Sequence, residues 1–533
     1  MTPSRCLFLL IAASGLARLA WAANLGLGND EAYHYLYTVH PALSYFDHPP
    51  MLALVAAVGP LLGGGNASEI MLRLGFIVMF AGSTWLLARL ASRAYGPWAG
   101  FYAALALNVS AYHTAAASTF VLPDGPLLFF WLLTLDRLAA ALESPRTSLL
   151  PWAWVGLAWG GGMLSKYHAA LLPMGTLLYI LVEPSARSWL KRPGPYLAAA
   201  LGLLLFSPVL IWNAEHGWAS IAFQGGRAVG SLTPRPDMLA KAIGLQALYL
   251  FPWIFLPLCL ALAGAVRCLK AGPSTDAESR LRKFLACLAV LPLGLFAAIS
   301  CLKPVLPHWA LVGFLSLFPA VGAAWAARSE ARPARMRREV GLMAALPLVI
   351  VLAVLAHLRM GIFQSKGADE STSMGLVASS ADPTLDMIGW DRVADELSRR
   401  GLLDDPETFL IASSWYRGGQ LAYALRGRSN KPVLCYNQAP NSRGFGYWSR
   451  PEDYVGRDGI FMAINRRSTE PGYLDRWFRR IEPIGSFQIS RRGSPVRTVD
   501  LYRCVGQKKP FPYAPADSDA PALASKPSAT APR

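Results

Sequence analysis

The stretch Asn29-Asp-Glu-Ala-Tyr-His-Tyr-Leu-Tyr-Thr-Val-His-Pro-Ala-Leu-Ser-Tyr-Phe-Asp-His-Pro-Pro50 decides how the rest of the chain is read. It holds three carboxylates (Asp30, Glu31, Asp47), three histidines (His34, His40, His48) and no Lys or Arg. Long apolar segments flank it on both sides. A loop that only joined two apolar helices would not gather so many titratable and aromatic side chains, because polar groups are costly to hold at an apolar boundary.

Composition places the whole chain in a bilayer. Of 533 residues, 53% are hydrophobic and only 16% charged, against about 25% charged in soluble domains. Mean hydropathy is +0.33. Apolar runs occupy residues 6–25, 70–90, 98–117, 121–142, 152–165, 168–183, 195–213, 239–266, 284–302, 308–327 and 340–358. Roughly 20 such residues cross a ~30 Å hydrocarbon layer, so about eleven transmembrane helices are expected. The run 51–62 is too short to span comfortably and ends at Gly63-Gly-Gly65; it is expected to lie at the interface or dip into it. Trp21-Ala-Ala23 could pass for a cleavage site, but Arg18 interrupts the first apolar run, which reads as a retained anchor. Pro252 and Pro257 predict a kink in 239–266.

Charge fixes the sidedness. The net charge of +17 sits largely in short loops, where the positive-inside rule rather than nucleic acid accounts for it. With a cytoplasmic N-terminus, one face receives Arg89, Arg93, Arg137, Arg146, Arg187, Lys191, Arg192, Arg267, Lys270, Arg280, Arg282, Lys283, Arg328, Arg332, Arg335, Arg337 and Arg338. The other receives Lys166, Arg227, Arg235 and Lys303, seventeen against four. The first loop, 26–69, is therefore outside, and an odd number of spans puts the C-terminus there too.

Residues 1–358 form the membrane domain on this reading. Residues 359–507 change to mixed composition, with strand-like runs at 408–412, 432–435, 459–464 and 498–502 and helical patterns near 389–401 and 417–426. That alternation predicts a small α/β domain. Residues 508–533, rich in Pro, Ala and Ser, are expected to be disordered. The seven cysteines include no Cys-x-x-Cys, which argues against a zinc or redox motif. Cys435 and Cys504 fall in the outer domain and could pair in an oxidising compartment.

Several outer residues carry candidate chemistry. Asp30 and Glu31 could accept a proton from an attacking hydroxyl or cap a helix; Asp47 supplies another carboxylate. His48 stands before two stiffening prolines and could bind a phosphate oxygen or simply be polar. Lys166, in Gly160-Gly-Gly-Met-Leu-Ser-Lys-Tyr-His168, is the only basic residue of its tight loop; it suits a lipid phosphate, or it snorkels. Lys303 and His308 repeat the theme beside prolines, and Arg227 is a weaker member of the set. Asp124 reads as a helix cap, with a secondary structural role in the site as the alternative. Cations beside carboxylates suit transfer of a sugar from a phosphate leaving group, the acid serving the acceptor and the cations the phosphate. His34, His40, His113, His168 and His216 match no zinc spacing, so no metal ligand is assigned and a divalent metal is left open.

Asp30-Glu31, Tyr45-Phe-Asp-His-Pro-Pro50, Leu164-Ser-Lys-Tyr167 and the residues from Lys303 to Trp309 together carry a family likeness. The chain resembles the bacterial relatives of protein O-mannosyltransferases and of the lipid A aminoarabinose transferases, membrane glycosyltransferases of the GT-C fold that use polyprenyl-phosphate sugars. The likeness implies that Asp30 is the catalytic carboxylate, that Asp47 and His48 contact donor phosphate and acceptor, that Lys166 binds the donor phosphate, and that transfer inverts the anomeric carbon. The aminoarabinose transferases look as though they carry Glu-Lys in place of Asp47-His48, a departure that leaves the sugar open. The expected partners are a polyprenyl-phosphate sugar donor, a lipid A, core or protein acceptor, and the bilayer of a bacterial inner membrane. A lipid-sugar flippase is the competing class. Transporters place binding groups near the bilayer midplane, often in repeated halves, whereas here the polar residues lie at outer helix ends and no internal repeat is visible.

Overall fold

A computed structural model describes residues 1–226, 234–364, 382–438, 440–464 and 471–513. Its membrane part is helical. Among the described residues, seven helices are long and apolar enough to cross a bilayer, or nine if each of two bent pairs is one span. The sequence pattern gave eleven. Two of the eleven runs give helices too short for that count, Pro97–Asn108 and Leu150–Ser165 with 12 and 16 residues, and two more are the bent pairs. The 98–117 run stops as a helix at Asn108, whose side chain donates back to Ala104 O at 2.9 Å and across to Thr84 Oγ1 at 3.1 Å. Such local bonds compete with helix continuation. The 239–266 run breaks at Phe251, which has φ 65°, and a new helix, Pro252–Lys270, starts on the proline. Proline has no N–H to continue the ladder and favours a first-turn position. The 308–327 run bends by 62° between Pro307–Leu315 and Phe318–Ala331.

The first outer loop folds as two helices, Asn29–Val39 and Met51–Leu62, ahead of the long helix Glu69–Tyr95. Met51–Leu62 packs so closely on the long helix that a Cβ on Gly59 would lie 1.9 Å from Met71 O. Only glycine fits that contact. Arg18, the residue that interrupts the first apolar run, faces the bundle interior. Its Nε donates to Ser118 Oγ at 2.8 Å and its guanidinium lies 4.3 Å from the Phe80 ring centre. The charge thus ties Pro3–Ala22 to its neighbours.

Arg73 organises this end of the bundle. It is fully buried, and its donors reach Ala22 O, Leu25 O, Gly26 O and both carboxylate oxygens of Glu31, at 2.6–3.0 Å. Five donors meet five acceptors, which a guanidinium in its rigid fork can supply. Glu31 in turn accepts from the Gly28 and Val121 backbone amides. One ion pair therefore fixes the end of the first helix, the start of Asn29–Val39 and the approach to Asp124–Glu143.

The outer domain carries a five-stranded mixed sheet: β1 Phe409–Ala412, β2 Val433–Cys435, β3 Gly459–Ile464, β4 Phe478–Arg491 and β5 Ser494–Gln507, in the order β2-β1-β3-β5-β4. Helices Trp390–Arg399 and Trp415–Leu425 accompany it. β4 is the element the sequence reading lacked. Its burial alternates poorly because it is an edge strand, with only three of its fourteen residues buried. Cys435 on β2 and Cys504 on β5 are both free and buried. β1 and β3 stand between them, so at about 4.8 Å per strand they are too far apart to pair. Residues 508–513, expected to be disordered, pack on the outer domain. Phe511 is buried and stacks on Tyr436 at 4.4 Å, an apolar anchor inside a Pro-rich segment. Residues 514–533 and Arg227 lie outside the described residues.

A buried triad joins the last long helix to this domain. His357 on Pro333–Met360 faces Asp382 at 3.1 Å, and Arg491 on β4 donates to the same carboxylate at 3.0 Å. The outer domain also packs on the first-loop helix Asn29–Val39, so domain and loop lie on the same side of the bundle, as the sidedness expectation required.

Arg73→Ala leaves Glu31 buried without its partner, a change that costs about 3–5 kcal/mol. Thermal unfolding in detergent is expected to show a large drop, and the double variant Arg73→Met/Glu31→Gln is expected to recover part of it.

Candidate active site

The residues singled out in the first loop meet others from distant helices around one cavity of about 890 Å³. Asp30, His34, Asp47 and His48 come from the first loop, Asp124 and Lys166 from helix ends, His308 from a later turn and Arg443 from the outer domain. Leu171, Leu248, Phe296 and Trp309 continue the lining as an apolar flank. Polar groups therefore sit at one end of a largely apolar cleft.

Asp30 and Glu31 are neighbours with opposite roles. Both stand in the first turn of Asn29–Val39, where the helix start favours negative charge. Successive helical residues point about 100° apart. Asp30 turns to the cavity with a side chain 57% exposed, 4.0 Å from Arg443 Nη1. Glu31 turns inward to Arg73 and is not among the cavity-lining residues. The expectation that Glu31 acts as a second catalytic acid is corrected on that ground: both of its oxygens are spent on structure.

Asp47 is buried at 2% exposure and fully engaged. Its Oδ1 accepts from Tyr33 Oη at 3.1 Å and from Tyr37 Oη, and its Oδ2 accepts from Arg443 Nη1 at 3.0 Å. Burial pushes the Asp47 carboxyl up, but the Arg443 guanidinium, helped by the tyrosine hydroxyl, outweighs it and holds it below its usual range. Burial and the nearby carboxylate push the Tyr33 and Tyr37 hydroxyls well up, so both stay protonated as donors. Tyr45 stacks on Tyr37 at 3.8 Å and donates to its carbonyl at 2.9 Å, which stiffens the turn carrying Asp47. Gln224 Nε2 donates to the Asp47 carbonyl at 2.7 Å.

His48 stands beside Asp47 with its ring 5.5 Å from that of His34. Burial pushes the imidazolium forms of both rings down, so both are neutral near pH 7. Of the ways in which His48 could hold a phosphate oxygen, this leaves hydrogen bonding by a neutral ring, which can offer one N–H or one lone pair.

Lys166 follows the helix Leu150–Ser165 and donates from Nζ to Asp124 Oδ1 at 2.8 Å. Asp124, expected as a helix cap, is thereby part of the site: it opens Asp124–Glu143 and aims the ammonium into the cavity. An ammonium has three donors, so others remain for an anion. His308 lines the cavity stacked on Tyr112 at 5.9 Å. Lys303, grouped with it from sequence, is half-buried and is not among the cavity-lining residues.

Arg443 is the member that sequence reasoning missed. It comes from the outer domain, 396 positions from Asp47, and nothing in Asn441-Ser-Arg-Gly444 marks it as a site. Its guanidinium lies 3.6 Å from the Trp415 ring centre and its backbone has φ 44°. Trp415–Leu425 brings it there by packing across Asn29–Val39. A Cβ on Gly419 would lie 2.7 Å from Tyr33 N and Cα. Gln420 Nε2 donates to Leu27 O at 2.9 Å and to Asp386 O at 2.8 Å, stitching loop to domain.

Known proteins resemble parts of this chain in sequence and most of it in fold. A family model described as Dolichyl-phosphate-mannose-protein mannosyltransferase matches residues 47–212, a stretch that includes Asp47, His48, Asp124 and Lys166 but neither Asp30 nor Arg443. The Lipid A galacturonosyltransferase RgtD of Rhizobium johnstonii is 29% identical over 191 residues, which is 35% of this chain and 38% of that protein. The likeness thus spans well under half of either. Crystal structures of ArnT from Cupriavidus metallidurans superpose over 93% of this chain and 97% of theirs, with TM-scores of 0.58 in the apo state and 0.61 bound to undecaprenyl phosphate, at 15% and 13% identity. The chain shares the fold of these ArnT structures, a GT-C fold. In this GT-C chain the outer domain supplies Arg443 to the cavity that the membrane helices form.

Gly419→Ala forces the two helices apart or distorts the loop, at a cost of about 1–3 kcal/mol. The expected outcome is faster proteolytic release of the outer domain in limited digestion, with the membrane part still extracted as a folded species.

Proposed function

We propose that this GT-C protein transfers a sugar from a polyprenyl-phosphate donor to an acceptor at the outer face of a bacterial inner membrane, with its outer domain in the periplasm. Lipid A or the lipopolysaccharide core is the favoured acceptor. The observation that carries this reading is the single cavity in which Lys166 and Arg443 meet Asp30 and Asp47 at the head of an apolar flank. A lipid-linked phosphate has that distribution of charge and oil. The name of the galacturonosyltransferase relative favours lipid A among acceptors. The seventeen-to-four bias in loop charge supports the orientation.

The step runs as follows. The acceptor hydroxyl attacks the anomeric carbon and gives its proton to Asp30, whose partial exposure leaves room for an acceptor. The bond from that carbon to the phosphate oxygen breaks, and the electron pair stays on the lipid phosphate. Lys166 stabilises the growing phosphate charge, with His48 and His308 at hydrogen-bonding positions around it. Asp47 holds Arg443 in place and keeps the loop closed. Attack opposite the leaving phosphate inverts the carbon.

Protein O-glycosylation is the second reading, favoured by the description of the matching family model. A comparison of lipid A and core by mass spectrometry separates the two. The deletion strain and a strain carrying Asp30→Asn are expected to lose the same sugar mass, with the variant protein still in the membrane. Removal of a general base lowers rate by about 10²–10⁴-fold, enough to abolish the modified species. Unchanged lipids alongside loss of sugar from a secreted protein would move the acceptor to protein. A deletion with no effect on lipids or proteins would contradict sugar transfer altogether.

A further inference from the structure

His34 carries a lone pair that the chemistry proposed above does not use. Its Nδ1 lies 2.7 Å from Val121 O. A carbonyl can only accept, so Nδ1 bears the proton and Nε2 bears the lone pair. His34 is 1% exposed, and its Nε2 is buried with no hydrogen-bond partner among the described residues. An orphaned acceptor at that depth costs free energy in the folded protein unless something fills it.

Two further donors face the same point. His34, Asp47 and His48 each offer one ligand atom, and these atoms lie within 4.8 Å of one another. An imidazole fixed by a carbonyl on its far nitrogen is the usual setting of a histidine metal ligand, because that bond sets the tautomer and the ring orientation. Asp47 accepts three hydrogen bonds, and an ionised carboxylate has about four acceptor positions, so one remains. In sequence the three residues match no zinc spacing. The turn from Tyr45 to Pro50 brings His48 and Asp47 back over the helix that carries His34, and Tyr45 N donates to His48 O at 3.2 Å to close it.

We infer that His34, His48 and Asp47 bind one divalent ion of the zinc type, with a further coordination position open to the cavity. Two imidazoles and one carboxylate suit such a borderline cation better than magnesium or calcium, which prefer oxygen. All three residues line the cavity that also holds Lys166. The open position would there take a phosphate oxygen, and the ion would act on the leaving group as a Lewis acid. That last part rests on the proposed sugar transfer; the binding of the ion does not.

The test uses the full chain in detergent without a histidine tag, stripped with chelator, loaded with Zn²⁺ and desalted. Bound metal is measured by elemental mass spectrometry, and Co²⁺ loading is followed by its visible absorption. The expected result is about one metal per chain, with a Co²⁺ spectrum of histidine ligation. His34→Ala and His48→Gln are each expected to lower retained metal by at least tenfold. His40→Ala is expected to retain it, because His40 stacks on Trp448 outside the cluster. His48 is only half-buried, so His48→Gln stays informative if His34→Ala fails to fold. Wild-type protein that retains no metal would overturn the inference, as would His48→Gln protein that retains as much as wild type. Metal bound at this site with sugar transfer unaffected by its removal would refute its role at the phosphate. Metal bound by a protein that transfers no sugar would contradict the proposed function and leave the site standing.

Discussion

The Glu31–Arg73 pair is the constraint on which the outer end of the protein depends. A charge pair at zero to three per cent exposure is tolerable only if the remaining donors and acceptors are also met. Here they are met by three backbone carbonyls at the end of the first helix and by two backbone amides, Gly28 and Val121. The pair therefore sets the angle at which Asn29–Val39 leaves the membrane. With Glu31 turned inward, Asp30 must point to the cavity, and His34, one turn further along, must face Val121. A single acid committed to structure places its neighbour for chemistry.

The outer domain completes what the loop begins. Trp415–Leu425 lies across the loop helix at a distance only glycine at position 419 permits, and this carries Arg443 to Asp47. Asp47 then has a cation on one oxygen and two tyrosine hydroxyls on the other. A buried carboxylate held this way is expensive to disturb, so the domain and the loop close as a unit. Asp124 does the same for Lys166 on the opposite wall. Each site cation thus has a fixed carboxylate partner, while Asp30 remains the more open acid.

Much of this was legible in the sequence, for physical reasons. Long apolar runs and one-sided loop charge follow from bilayer thickness and insertion, so the helical membrane domain and the common side of loop and outer domain could be read directly. The crowding of acids and histidines in residues 29–50 marked the site. What escaped were facts set by tertiary contact. Asp30 and Glu31 are equivalent in pattern and differ only because Arg73 waits on one side. Arg443 has no local signature, since its role arises from the docking of Trp415–Leu425. Asp124 looked like a cap because a carboxylate at a helix start serves equally as a cap or as a partner for a distant lysine. The span count fell short of eleven because hydropathy does not register that one run stops as a helix at Asn108 and that another forms only the 16 residues of Leu150–Ser165.

Binding of a polyprenyl phosphate to the purified protein, read by native mass spectrometry, bears most directly on the role assigned to the cavity. The expected result is one lipid per wild-type chain, displaced by inorganic phosphate only at great excess, and at least tenfold weaker binding to Lys166→Ala. Equal binding by Lys166→Ala and wild type, or no lipid retained by either, would contradict a donor-phosphate site at Lys166.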